Sequence, residues 1–87
     1  MENDVQLVIT ALADQLRAEI AASGKSMAAV SREIDVHYQT LFRYAHGKRD
    51  IPYSVIVKVG RAIGVSPAVI MSRAEDRLLQ RTASAVH

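Results

Sequence analysis

The chain contains no cysteine, which rules out a disulfide framework and a thiolate metal site. Its three histidines, His37, His46 and His87, do not fall at zinc-ligand spacing, so neither a metal nor another cofactor is expected. Proline and glycine are scarce, and all but one of them mark the edges of helical patterns; Gly60 is the exception. Long apolar runs are missing too. Hydrophobic residues make up 49% of the chain but are scattered, so neither a membrane span nor a signal peptide is expected, and the chain reads as soluble and cytoplasmic. At 87 residues it is expected to form one domain over positions 1–87. That length buries a modest core but is short for a multi-lobed enzyme with an enclosed pocket, which favours a binding module.

Acidic residues are nearly absent from one region. Between Val36 and Arg73, Asp50 stands alone against Arg43, Lys48, Arg49, Lys58, Arg61 and Arg73, whereas Glu2, Asp4, Asp14, Glu19, Glu33 and Asp35 lie earlier. The formal charge of +2 conceals this asymmetry. An ordinary solvated face and a polyanion site both fit it.

The apolar residues that are present recur with helical spacing. Val5, Val8, Ile9, Leu12, Leu16 and Ile20 predict a first amphipathic helix ended by Gly24. Ser26 is a good N-cap for a second helix over Met27 to Ile34. A sharp turn follows, and Asp35 is expected in the left-handed conformation that few residues besides glycine tolerate. His37 then falls at the N-cap of a third helix, Tyr38 to Ala45, with Leu41 and Tyr44 on one face and Gly47 at its end. Pro52 is expected in the first turn of a fourth helix that buries Val55, Ile56, Val59 and Ile63. Gly60 inside it costs about 1 kcal/mol relative to alanine, and a close helix crossing there would compensate. Ser66 and Pro67 open a fifth helix, to about Gln80, with Ile70, Met71, Ala74, Leu78 and Leu79 as its apolar stripe. Positions 1–4 and 81–87 are expected to fray. The fold class is all-α, with five helices.

Two short helices joined by a turn of a few residues match the helix-turn-helix pattern. Ser26 to Gly64 resembles the Cro and phage-repressor class, the XRE or lambda-repressor-like family of prokaryotic and phage proteins. The resemblance is carried by Ser26-Met27, by Val30, Ile34, Val36 and Leu41 as core positions, by Gly47-Lys48-Arg49 with Pro52, and by the exit Ala62-Ile63-Gly64-Val65-Ser66-Pro67. With helices one and five it spans nearly the whole chain. The sequence departs from the family at Ser31, Asp35, His37, Ala45 and Gly60, where Ala, Gly, Ser or Thr, Glu and Ala are usual.

The resemblance implies binding to double-stranded DNA, with the base-reading positions falling on Tyr38 and Gln39, Thr40 beside them and Arg43 one turn on. Side-chain chemistry agrees: Gln39 can pair with adenine, Arg43 with guanine, and the Thr40 methyl can touch thymine. Tyr38 suits a base, sugar or phosphate contact, or shields the end of helix three. Phe42 is either a groove-facing apolar contact or a core residue, with partial burial favoured. Phosphate contacts are assigned to Ser26 and Met27 at the start of helix two, to His37, and to Lys48 and Arg49. Lys25, Arg32, His46 and Tyr53 are weaker candidates.

A single short reading helix binds weakly, so a homodimer on a pseudo-palindrome is expected, with Ile70, Met71, Leu78 and Leu79 as its contact unless all four are core. The functional expectation is a sequence-specific transcriptional regulator, a repressor that occupies an operator on the nucleoid. A protein-interaction module, antitoxin-like with secondary DNA binding, is the alternative; the polar set Gln39, Thr40 and Arg43 favours DNA. Neither a membrane nor a small-molecule partner is expected. An enzyme is not expected either, because Glu33, Asp35 and His37 straddle a tight turn with no nucleophile beside them.

Overall fold

The computed structural model describes residues 4–86, with side chains to residue 83. Its elements are α1 (Asp4–Ala22), α2 (Met27–Glu33), α3 (Tyr38–Ala45), α4 (Tyr53–Ile63) and α5 (Pro67–Val86). No strand occurs among the described residues. The expected fraying of residues 1–3 and 87 lies outside them.

One core joins all five helices. Leu16, Leu41, Ile56, Ile70, Val30 and Val59 are its largest fully buried side chains. Each contributes about 1.5–3 kcal/mol on leaving water. The expected core positions Val30, Ile34 and Leu41 are buried, with Val36 and Ile63 packed partly buried against them. α1 packs most extensively along α5, and the α2–α3 pair lies over α1 and α4.

The helix ends explain how so short a chain turns so often. Asp35 sits at φ 56° and Gly47 at φ 70°. At each, two backwards hydrogen bonds close the preceding helix: Asp35 N to Arg32 O and Val36 N to Ser31 O after α2, Gly47 N to Tyr44 O and Lys48 N to Arg43 O after α3. This is the Schellman arrangement, which needs a left-handed residue just past the helix. Aspartate accepts that backbone at Asp35 where glycine is usual.

Three expectations change. Pro52 is the N-cap of α4 (φ −61°, ψ 141°), and the helix begins at Tyr53. Gly60 is required by its own chain and not by a helix crossing: a Cβ there would lie 2.5 Å from Val65 O, because Val65 folds back to donate to Gly60 O. The third is the length of α5, which continues to Val86, six residues past the end that periodicity predicts.

Long-range polar contacts tie α5 to α1, and the last of them, from Arg81, lies in that extension. Arg73 donates twice to the buried carboxylate of Glu19 (3.0 and 2.8 Å), Arg77 to Gln15 Oε1 (2.6 Å) and Arg81 to Asp14 Oδ2. Gln15 Nε2 completes the row by donating to Glu19 at 2.7 Å. Positions 73, 77 and 81 are one helical turn apart, so three guanidinium groups line one stripe against α1.

Candidate nucleic-acid interface

Both ends of α3 are satisfied by specific groups. At its start, His37 Nδ1 accepts from Gln39 N at 3.2 Å. That nitrogen therefore carries a lone pair, and the ring proton is on Nε2, which points an N–H donor outward. At its end, His46 Nδ1 donates to Phe42 O at 2.9 Å, since a carbonyl only accepts. The Nδ1 atoms of the two histidines thus play opposite parts, one accepting and one donating.

The last carbonyls of α3 are fully used. Phe42 O, Arg43 O and Tyr44 O accept from amides at His46, Lys48 and Gly47. Ala45 O accepts from Arg17 Nη1 of α1 at 2.6 Å. Arg17 also pairs with Asp14 at 3.0 Å, and Asp14 in turn receives Arg81 of α5. A cation thus sits on the negative end of the α3 dipole, tied to both long helices. Sequence reasoning missed Arg17; its partner lies 28 residues away and leaves no local signal. Burial pushes the Asp14 carboxyl up, but the guanidinium groups of Arg81 and Arg17 outweigh this and hold it below the ordinary aspartate value.

Leu41, Tyr44 and Ala45 are buried, which fixes the rotation of α3. At about 100° per residue, Gln39, Arg43 and His46 then point directly away from the core, Phe42 lies beside them, and Tyr38 and Thr40 form the flanks. Burial follows this geometry: Gln39, Phe42, Arg43 and His46 are exposed, and Thr40 is half-buried. Phe42 is 39% exposed, so it is not a core residue. Its ring stacks on His46 at 4.0 Å, with the Tyr38 ring tilted toward it at 6.1 Å.

On α3, the loop after it and the neighbouring helices α2 and α4, several of the described cations have no acidic partner. Among the described residues Arg32, Arg43, Lys48, Arg49, Lys58 and Arg61 have no carboxylate at ion-pair distance, whereas Arg17, Lys25, Arg73 and Arg81 are all paired. Arg49 lies 5.4 Å over the Tyr44 ring, which steadies the loop after α3. Lys25 serves the fold: its ammonium bridges Glu33 and Ala62 O. Ser26 caps α2 by accepting from Ala29 N at 3.0 Å, leaving its hydroxyl proton and the first α2 amides facing outward. The cluster of Glu33, Asp35 and His37 is divided among an ion pair, a turn and a cap.

The dimer expectation needs one correction. Ile70 is fully buried, because it lies on the side of α5 that enters the core, so it is not a contact for a second copy. Met71 is partly buried against that core. Leu79 is 65% exposed, and with Leu78 it borders an apolar groove shared with Leu7 and Val8 of α1. Val8, itself 48% exposed, was not among the expected contacts.

Two short helices joined by a left-handed turn, with the second presenting a polar face, define a helix-turn-helix domain. The sequence belongs to that family, in its XRE-type form: residues 16–70, more than half of the chain, match the family described as Helix-turn-helix. Among solved structures the fold is similar to the clp gene regulator ClgR from Corynebacterium glutamicum. One ClgR structure superposes with a TM-score of 0.84 at 20% identity, covering 90% of this chain and 83% of that one. A second gives 0.75 at 22% identity, covering 79% and 90%. No curated protein matches the chain in sequence.

Proposed function

We propose that the protein is a sequence-specific transcriptional regulator that binds double-stranded DNA as a homodimer and represses by occupying a pseudo-palindromic operator. The observation that carries this reading is the exposed face of α3, with Gln39 and Arg43 opposite the buried Leu41 and Tyr44, set among cations that have no carboxylate partner. Tyr38, Gln39, Thr40 and Arg43 read base edges in the major groove. Ser26 and Met27, His37 through Nε2–H, and Lys48 and Arg49 grip phosphates on either side. Leu78 and Leu79, joined by Val8, supply the apolar contact with a second copy, and Met71 lies beside them. The protein acts in the cytoplasm, on the nucleoid when bound.

Selection of bound duplexes from a random pool at two salt concentrations tests this. A recovered palindrome is expected. On it, Arg43→Ala relaxes preference at one base pair, at a cost of about 1–3 kcal/mol, while Lys48→Ala weakens binding to all sequences and lowers the salt slope by about one. Recovery of no preferred sequence would instead favour a protein-interaction module.

A further inference from the structure

The face of α3 that carries Gln39 and Arg43 also carries an apolar group that the polar residues do not account for. Phe42 is exposed, although the core lies one helix side away and Leu41 and Tyr44 fill it. Its ring is held in place. His46 stacks on one face at 4.0 Å with 22° between the planes, and is itself fixed by its 2.9 Å bond to Phe42 O. The Tyr38 ring lies near Phe42 as well, at 6.1 Å and tilted by 36°. Phe42 is thus both exposed and already braced before any partner arrives, so little side-chain freedom is lost on contact.

The surroundings define that partner. Arg43 follows Phe42 in the chain, Gln39 shares its face, and Arg32, Lys48 and Arg49 are unpaired cations of the same region. An apolar protein patch would leave these groups unsatisfied, whereas a duplex satisfies them with phosphates and base edges. The apolar feature that a major groove offers is the C5-methyl group of a pyrimidine, on thymine or on 5-methylcytosine.

We propose that Phe42, braced by His46 and Tyr38, is a specificity-determining residue that reads a pyrimidine C5-methyl beside the guanine bound by Arg43. The inference rests on the DNA-reading role of α3. Its test uses the full chain and the duplex recovered by selection. Each thymine is replaced in turn by uracil, which deletes the methyl and keeps every hydrogen bond, and each cytosine by 5-methylcytosine. At one position per half-site next to the Arg43 guanine, the uracil duplex should bind about fourfold more weakly, or the 5-methylcytosine duplex about fourfold more tightly, the value of one buried methyl. The first result assigns thymine and the second assigns 5-methylcytosine.

Phe42→Ala should abolish this difference while Arg43→Ala keeps it, and Phe42→Leu should keep part of it. The proposal is overturned if no methyl change alters binding, or if Phe42→Ala shows the same difference as the unaltered chain. A selected palindrome with silent methyl changes removes only the role of Phe42. Selection of no sequence removes the DNA-reading role and this inference together.

Discussion

Replacing Arg17 by methionine tests whether α3 is anchored from α1. The variant keeps most of the aliphatic stem and deletes the guanidinium that donates to Ala45 O at 2.6 Å and pairs with Asp14 at 3.0 Å. A hydrogen bond from a charged donor contributes about 1.5–3 kcal/mol. The Arg17 side chain is 42% exposed, so water recovers part of that, and the half-exposed ion pair adds little. Asp14 keeps Arg81, so no carboxylate is stranded. The net loss is about 1–2 kcal/mol, which lowers Tm by about 5–10 °C in a domain of this size. Thermal unfolding followed by circular dichroism measures it. Hydrogen exchange should show the amides of His46, Gly47 and Lys48 losing protection ahead of the core of α1. A Tm shift under about 2 °C with unchanged exchange at these amides would refute the anchor.

Further outcomes follow from the same geometry. Because Asp14 titrates below the ordinary aspartate value, its contribution is fully present above the unfolded-state pKa of 3.8 and is lost as pH falls through the lower folded value. The stability gap between the native chain and Asp14→Asn should therefore hold at neutral pH and close only below about pH 4, as measured by urea unfolding at several pH values. Gly60→Ala should destabilise by about 1–3 kcal/mol despite the better helix propensity of alanine, because a carbonyl of the backbone blocks the new methyl. Leu79→Asp should give a folded monomer by sedimentation, whereas Ile70→Asp should fail to fold, since it places a carboxylate in the centre of the core. A Leu79→Asp protein that still sediments as a dimer would take α5 out of the interface.

Local chemistry made the helix order, the Ser26 cap, the left-handed Asp35 and the His37 cap legible before the fold was known. The two caps and the left-handed turn are each decided within four residues of chain, and the helix order by apolar spacing along each helix. Pro52 was misplaced by one residue because a proline ring fixes φ alone, and ψ decides whether the helix has begun. The stripe on α5 named Ile70 and Leu79 equally, since periodicity identifies an apolar side without saying how deep each member sits. The length of α5 was illegible for another reason. Its last turns depend on Arg77 and Arg81 meeting Gln15 and Asp14, 62 and 67 residues away. The ring cluster on α3 has a local signal in its spacing, with Tyr38, Phe42 and His46 each four residues apart, but only the rotation fixed by Leu41 and Tyr44 turns it outward.

The division of the cations also governs how the molecule meets a polyanion. Arg17 on α1 and Arg73 and Arg81 on α5 are neutralised by carboxylates, and Arg77 meets only the neutral Gln15. Most of the cations left without a carboxylate among the described residues therefore lie from α2 to α4. On the proposed DNA-binding role, this distribution within a net charge of +2 favours approach of the α2–α4 side to phosphate once within about a Debye length. Encounter begins from a biased orientation, which shortens the rotational search that follows diffusion. The same partition sets a ceiling on counterion release, because only the unpaired group can displace ions from phosphate.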